Sequence, residues 1–107
     1  MADHKKSDLP SVLFRGRSID EADRLFGEAL AIACRAEHDE GIAFRWSEAA
    51  SLYEQSASLF QKADLGLMAR DIYGHASYCF GKAGASDDAR RCMALSEAIP
   101  AYWERFR

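Results

Sequence analysis

The sequence predicts an all-α protein, a four-helix antiparallel hairpin bundle. Apolar residues recur at intervals of three and four in four successive segments, which is the spacing of one helix face. Alanine is frequent, whereas valine and threonine are scarce, and this composition favours helix over strand. No segment alternates apolar and polar residues, and no Asn-Gly or Asp-Gly pair indicates a β-hairpin.

A length of 107 residues predicts one folded domain. Residues 1–17 are expected to form a polar N-terminal arm, and residues 18–107 a single helical domain. Pro10 and Gly16 bracket a short apolar run in the arm and disfavour a long helix there.

Each predicted helix has a recognisable start or end. Ser18 and Glu21 have the spacing of a capping box, so the first helix is expected to begin at Ser18. The run 64–66 separates the second helix from the third, and Ser86 is the predicted N-cap of the fourth. Pro100 ends or kinks the last helix because proline lacks the amide hydrogen. The expected ranges are 18 to 38–41, 42–62, 67–83 and 87 to 99.

The charge distribution argues against several classes of function. A net charge of −3 and a pI near 5.6 argue against general nucleic-acid binding. Residues 18–44 hold seven acidic and two basic side chains, whereas residues 90–107 hold two acidic and four basic ones. Three cysteines without disulfide-like spacing suit a reducing compartment. No run approaches the roughly 20 apolar residues of a membrane span. We therefore expect a cytoplasmic protein.

The centre of the chain resembles a known family of helical repeats. The pattern Trp46-x2-Ala49-Ala50-x2-Tyr53 resembles the first helix of a tetratricopeptide repeat. Residues 76–84, followed by 87–89, are similar to the longer repeats of soluble NSF attachment proteins. The resemblance covers about residues 42–98 and implies a protein-binding scaffold without a cofactor. With two hairpins rather than three or more, the chain is expected to close into a bundle or to complete its stack in a dimer.

The function predicted from these observations is non-enzymatic protein binding through helical faces. An adaptor, an accessory subunit, a chaperone-like protein or a small inhibitor would each fit, and the partner is another protein, a second copy of the chain included. Aromatic residues and arginines are typical interface anchors, and several follow Pro100. The expected partner-binding residues are Tyr102, Trp103, Arg105, Phe106 and Arg107. In the alternative, this segment covers one end of the bundle.

Two alternatives assign chemistry to particular side chains. Arg70 and His75 fit the Arg-polar-x3-His pattern of HEPN-type ribonucleases. That resemblance implies metal-independent RNA cleavage, with Arg70 stabilising phosphate charge and His75 moving a proton. Separately, Cys34 with His38, and His75 with Cys79, have the i to i+4 spacing at which four ligands could hold a structural zinc ion. The same cysteines also fit an apolar core.

Overall fold

A computed structural model describes the backbone of residues 2–38 and 43–100, and the side chains of residues 19–38 and 43–100. Within these ranges all regular structure is helical. Each helix packs against the next one in the chain as an antiparallel neighbour, and the other helix pairs touch only marginally. The prediction of an all-α fold with four helices is confirmed. The helices are α1 (Ala2–His38), α2 (Ala43–Lys62), α3 (Gly66–Lys82) and α4 (Ser86–Glu97).

The start of α1 differs from the prediction. The helix begins at Ala2 rather than at Ser18, and Pro10 and Gly16 lie inside it. An internal proline removes one amide donor from the ladder, whereas the leucine, lysine and arginine residues nearby are good helix formers. Ser18 and Glu21 are therefore inside a helix, where no capping box is needed. The division into an arm and a domain at residue 17 stays a prediction, because the side chains before Ile19 lie outside the described set.

The turns after α2 and α3 have the same hydrogen-bond pattern. The amide of Leu65 donates to the carbonyl of Phe60 at 2.9 Å, and the amide of Ala85 makes the equivalent bond at 2.9 Å. The residue just before each of these amides is left-handed, with φ of 67° at Asp64 and 80° at Gly84. This is the Schellman arrangement, which satisfies the last carbonyls of a helix while the chain reverses.

These turns recur every 20 residues, so one helix with its turn is the repeating unit. Ser86, the predicted N-cap of α4, is instead its first residue. The N-cap is Ala85, which makes no side-chain capping bond. The fourth helix therefore begins through the geometry of the preceding turn rather than through a serine cap. Residues shared at this period include Tyr53 and Tyr73, Phe60 and Phe80, Lys62 and Lys82, Ala63 and Ala83, and Ala69 and Ala89.

Small residues occupy the places where the helices cross. Because an alanine methyl group occupies little space, two helix backbones can approach closely there. Larger side chains, among them Tyr53, Phe60 and Ile72, fill the space between these crossings. The alanines with no exposed surface are Ala22, Ala29, Ala49, Ala50, Ala57, Ala69 and Ala76.

Three buried serines join neighbouring helices. The hydroxyl of Ser56 on α2 donates to the carbonyl of Ala22 on α1 at 2.7 Å. Between α3 and α4 there are two such bonds in opposite directions. Ser77 donates to a carbonyl of α4, and Ser96 donates to a carbonyl of α3, both at 2.8 Å. These bonds satisfy each hydroxyl in the core and fix the register of adjacent helices. The apolar pattern of the sequence does not reveal them.

Exposed ion pairs lie on the surfaces of the first and last helices. On α1, Arg24 pairs with Glu21 and, at 2.6 Å, with Glu28. On α4, Arg90 pairs with Asp87 at 2.6 Å. Such exposed pairs contribute little to stability because water screens them, so their main effect is to keep these surfaces polar. None of the described helices is sufficiently long and apolar to cross a lipid bilayer.

Candidate functional site

The first and third helices form the walls of a groove whose floor is α2. We call it the α1–α3 groove, and its volume is about 210 Å³. Trp46 and Tyr53 form the floor and are 7% and 3% exposed. The walls are mainly apolar, with one carboxylate and one imidazole. Their principal side chains are Leu30, Cys34 and Glu37 on α1, and His75, Tyr78 and Cys79 on α3.

Aromatic contacts connect the three helices around this groove. The rings of Phe26 on α1 and Tyr53 on α2 meet edge to face at 5.6 Å between centroids. The ring of His75 on α3 lies 5.4 Å from that of Tyr53 and 6.3 Å from that of Phe26. Trp46 and Tyr78 form a second edge-to-face pair at 5.9 Å. These pairs hold the walls at fixed positions relative to the floor.

The rim of the groove exposes apolar surface beside charge. Leu30 and Tyr78 stand on opposite walls and are 47% and 55% exposed. The ammonium of Lys82 lies 5.7 Å from the centre of the Trp46 ring, as in a cation–π contact. Glu37 provides a carboxylate on the opposite wall. The groove therefore combines a buried aromatic floor with an accessible apolar rim, which is the composition of an interaction site.

A second groove runs between α1 and α2 on another side of α2. Its volume is larger, about 690 Å³, and Phe44 at its edge is 70% exposed. Its lining residues include three charged side chains, Glu28, Arg35 and Glu48, beside apolar ones. Because charged side chains lose hydration when they are covered, this surface is less suited to apolar contact than the α1–α3 groove.

Three of the four proposed zinc ligands border the same groove. Cys34, His75 and Cys79 all line it, whereas His38 is not part of its lining. Among the described residues, no group of three or more His, Cys, Asp or Glu side chains is arranged to hold a metal ion. The zinc alternative therefore gains no support from the geometry.

The two proposed ribonuclease residues point in different directions. Arg70 and His75 are five residues apart on α3, which places them about 140° apart around the helix axis. His75 borders the α1–α3 groove. Arg70 lies where α3 meets α4, and its carbonyl accepts the hydroxyl of Ser96 at 2.8 Å. No single site contains both side chains, so the ribonuclease alternative gains no support from their placement.

The predicted partner-binding residues lie outside the described part of the chain. All five belong to the segment 101–107. The groove residues with the greatest accessible apolar surface, Leu30 and Tyr78, were not predicted as contact residues. Each is adjacent in sequence to a buried residue, Ala29 or Cys79. A large apolar residue at the edge of a buried stripe is the signal that could have indicated them.

Burial keeps several titratable groups near the groove neutral. It raises the pKa of Tyr53 to about 12 and that of Cys79 to about 11. Burial also raises the pKa of Cys92, on α4, to about 11. A raised pKa is the opposite of what activates a cysteine nucleophile. Cys34, in contrast, is exposed.

These pKa shifts predict a loss of stability in alkaline solution. The stabilising effect of a neutral buried thiol is fully present below its ordinary pKa of 9.0 and is lost as the pH rises through about 11. We expect the urea midpoint of unfolding to be constant from pH 7 to about 8.5 and to fall between about pH 9 and 11. In a Cys79→Ala, Cys92→Ala variant this decline should be smaller. An identical decline in both proteins would contradict the assignment to the thiols.

The chain matches no protein-family model, and neither curated proteins nor solved structures give a significant match.

Proposed function

We propose that this chain is a non-enzymatic protein-binding module, of the adaptor or accessory-subunit kind. Its α1–α3 groove receives an apolar side chain of a partner protein. The observation that carries the proposal is the pairing of a buried aromatic floor, Trp46 and Tyr53, with the exposed rim residues Leu30 and Tyr78. Interface hot spots have this character, a preformed apolar pocket within an accessible surface.

The size of the groove favours a protein ligand over a small molecule. Its volume of about 210 Å³ is below the range of about 300–1,000 Å³ that is typical of small-molecule sites. A space of this size suits one large side chain that extends from a larger surface. Leu30 and Tyr78 would then contact the partner on either side of that anchor.

The polar surfaces of α1 and α4, the first and last helices, favour the α1–α3 groove as the partner-binding surface. Repeat proteins protect their terminal helices with polar outer faces. The ion pairs of Arg24 on α1 and of Arg90 on α4 fit such a role. In the tetratricopeptide resemblance, α2 is the first helix of a repeat, and its Trp46 and Tyr53 form the floor of the groove. The two equivalent turns keep successive helices antiparallel, as a stack of hairpins requires.

The groove can be tested with peptide ligands selected from a random displayed library. We expect the selected peptides to share one large apolar or aromatic residue. The substitution Tyr78→Ala should weaken their binding about tenfold or more. It removes an edge-to-face contact with Trp46 and one of the two exposed apolar side chains of the rim. Isothermal calorimetry on the folded variants gives the dissociation constants.

Phe44→Ala is the matched control for that experiment. Phe44 is an exposed aromatic residue like Tyr78, but it borders the α1–α2 groove. Peptide affinity should change less than twofold in this variant, roughly 0.4 kcal/mol. If Phe44→Ala abolishes binding while Tyr78→Ala leaves it intact, the α1–α3 groove is not the binding site. A library that yields no ligand dependent on Tyr78 would also contradict the proposal.

A further inference from the structure

We infer that the occupant of the α1–α3 groove is the C-terminal segment 101–107 of a second copy of this chain. The inference rests on the protein-binding function proposed above and names the partner for that site. Two copies would exchange these segments reciprocally, each filling the groove of the other. Such an exchange gives a closed two-fold dimer in which both binding surfaces are used.

The side chains of the segment have the chemistry that the groove requires. Three of its seven residues are aromatic, namely Tyr102, Trp103 and Phe106. The groove offers the rings of Trp46 and Tyr53 as a floor, against which a further aromatic ring can pack edge to face. An aromatic anchor in such a pocket also orders few rotatable bonds, which lowers the entropic cost of docking.

The charges of the segment complement both walls. On α1, Asp23, Leu30 and Glu37 follow one another at seven-residue intervals and therefore share one side of the helix. Glu37 lines the groove, and Asp23 lies two turns before Leu30 on the same side of α1, so Arg105 and Arg107 of the segment would find opposite charge along this wall. On α3, the ammonium of Lys82 lies over the ring of Trp46, beside the groove. The single acidic residue of the segment, Glu104, is matched to that positive charge.

The position of Pro100 favours a second copy over the same chain. The end of α4 lies beside the start of α3, where Ser96 bonds to Arg70 at 2.8 Å. Cys79, at the groove, is nine residues further along α3, a rise of about 13 Å. The segment would also have to pass around α3, a helix about 10–12 Å in diameter with side chains. The backbone from Pro100 to Trp103 spans at most about 10 Å, so Trp103 falls short of Cys79 in its own chain. Phe106 is at most about 20 Å away and would need the intervening segment fully extended along that path.

The exposed thiol of Cys34 can report whether the groove is occupied. Cys34 lines the groove and is exposed, whereas Cys79 and Cys92 are buried. The rate at which Ellman's reagent modifies Cys34 should be measured over a dilution series, alongside the molar mass by light scattering. At high concentration we expect twice the monomer mass of 11.9 kDa and a protected thiol. On dilution, the mass should halve and the modification rate should rise about tenfold or more.

Variants of the segment and of a remote surface complete the experiment. Trp103→Ala with Phe106→Ala should be monomeric, with fast Cys34 modification at every concentration. A synthetic peptide of residues 99–107 should restore protection of the thiol in that variant. Met93→Ala is the control, because Met93 is an apolar residue on α4 that is 42% exposed. This variant should dimerise like the unmodified chain.

Three results would overturn the inference. Protection of Cys34 in a protein of monomer mass would assign the groove to the segment of the same chain. A dimer that persists in the Trp103→Ala, Phe106→Ala variant would place the interface elsewhere. A monomer with an unprotected thiol at every concentration would exclude the exchange. In each case, selected peptides that depend on Tyr78 would still support the groove as a protein-binding site, so the two proposals fail separately.

Discussion

Replacing Tyr53 with alanine is expected to lower the free energy of unfolding by about 3–5 kcal/mol. Tyr53 is 3% exposed, and its ring contacts Phe26 on α1 and His75 on α3. Its loss would leave a cavity at the point where three helices meet, and the fixed crossings around it restrict relaxation. Urea unfolding followed by circular dichroism gives the difference between the variant and the unmodified protein.

The control for this prediction is another aromatic residue on the same helix. Phe44 is 70% exposed, so Phe44→Ala should change the free energy of unfolding by less than about 0.5 kcal/mol. A loss below about 1 kcal/mol in Tyr53→Ala would show that Tyr53 is not packed as described. Since small domains are stable by only about 5–15 kcal/mol, the expected loss is a large part of the total.

Enlarging a buried alanine at a helix crossing should also destabilise the protein. Ala76 lies in α3, has no exposed surface and belongs to the core. In Ala76→Leu, the added carbon atoms would force α3 away from its neighbours or push side chains off their preferred rotamers. We expect a loss of about 1–3 kcal/mol in the free energy of unfolding, measured by the same urea titration.

Ala94→Leu is the matched control for the enlarged side chain. Ala94 is exposed on α4, and alanine and leucine have similar helix propensities. This variant should therefore unfold within about 0.5 kcal/mol of the unmodified protein. If Ala76→Leu were as stable as Ala94→Leu, the helices would not be in close contact at Ala76, and the role assigned to the small residues would be wrong.

The local pattern of the sequence was sufficient to predict most helices. The predicted range 42–62 agrees with α2 to within one residue, and 67–83 agrees with α3 equally closely. Ala50, Tyr53 and Phe60 form one apolar stripe of α2, and all three are buried. The backbone hydrogen bonds of a helix are local, and its buried face has a fixed residue spacing. A short stretch of sequence therefore predicts both the extent of the helix and its buried face.

Local signals were less reliable at the helix ends. Ser18 has the spacing of a capping box and Ser86 that of an N-cap, yet both lie within helices. A capping signal contributes only about 1 kcal/mol, so a continuing helix ladder or a well-formed preceding turn can override it. The alkaline response of the thiols was likewise not predictable, because it depends on how deeply Cys79 and Cys92 are buried.

The sequence by itself determined that the chain is helical, where α2 and α3 lie, and which of their faces are buried. Only the tertiary structure decided which of the remaining faces lie beside one another. It brought Leu30 on α1 and Tyr78 on α3 to opposite sides of one groove, and it separated Arg70 from His75 around α3. The physical reason is that helix periodicity is a short-range property. A groove depends on how separate helices cross, and that geometry is set by long-range packing at their small residues.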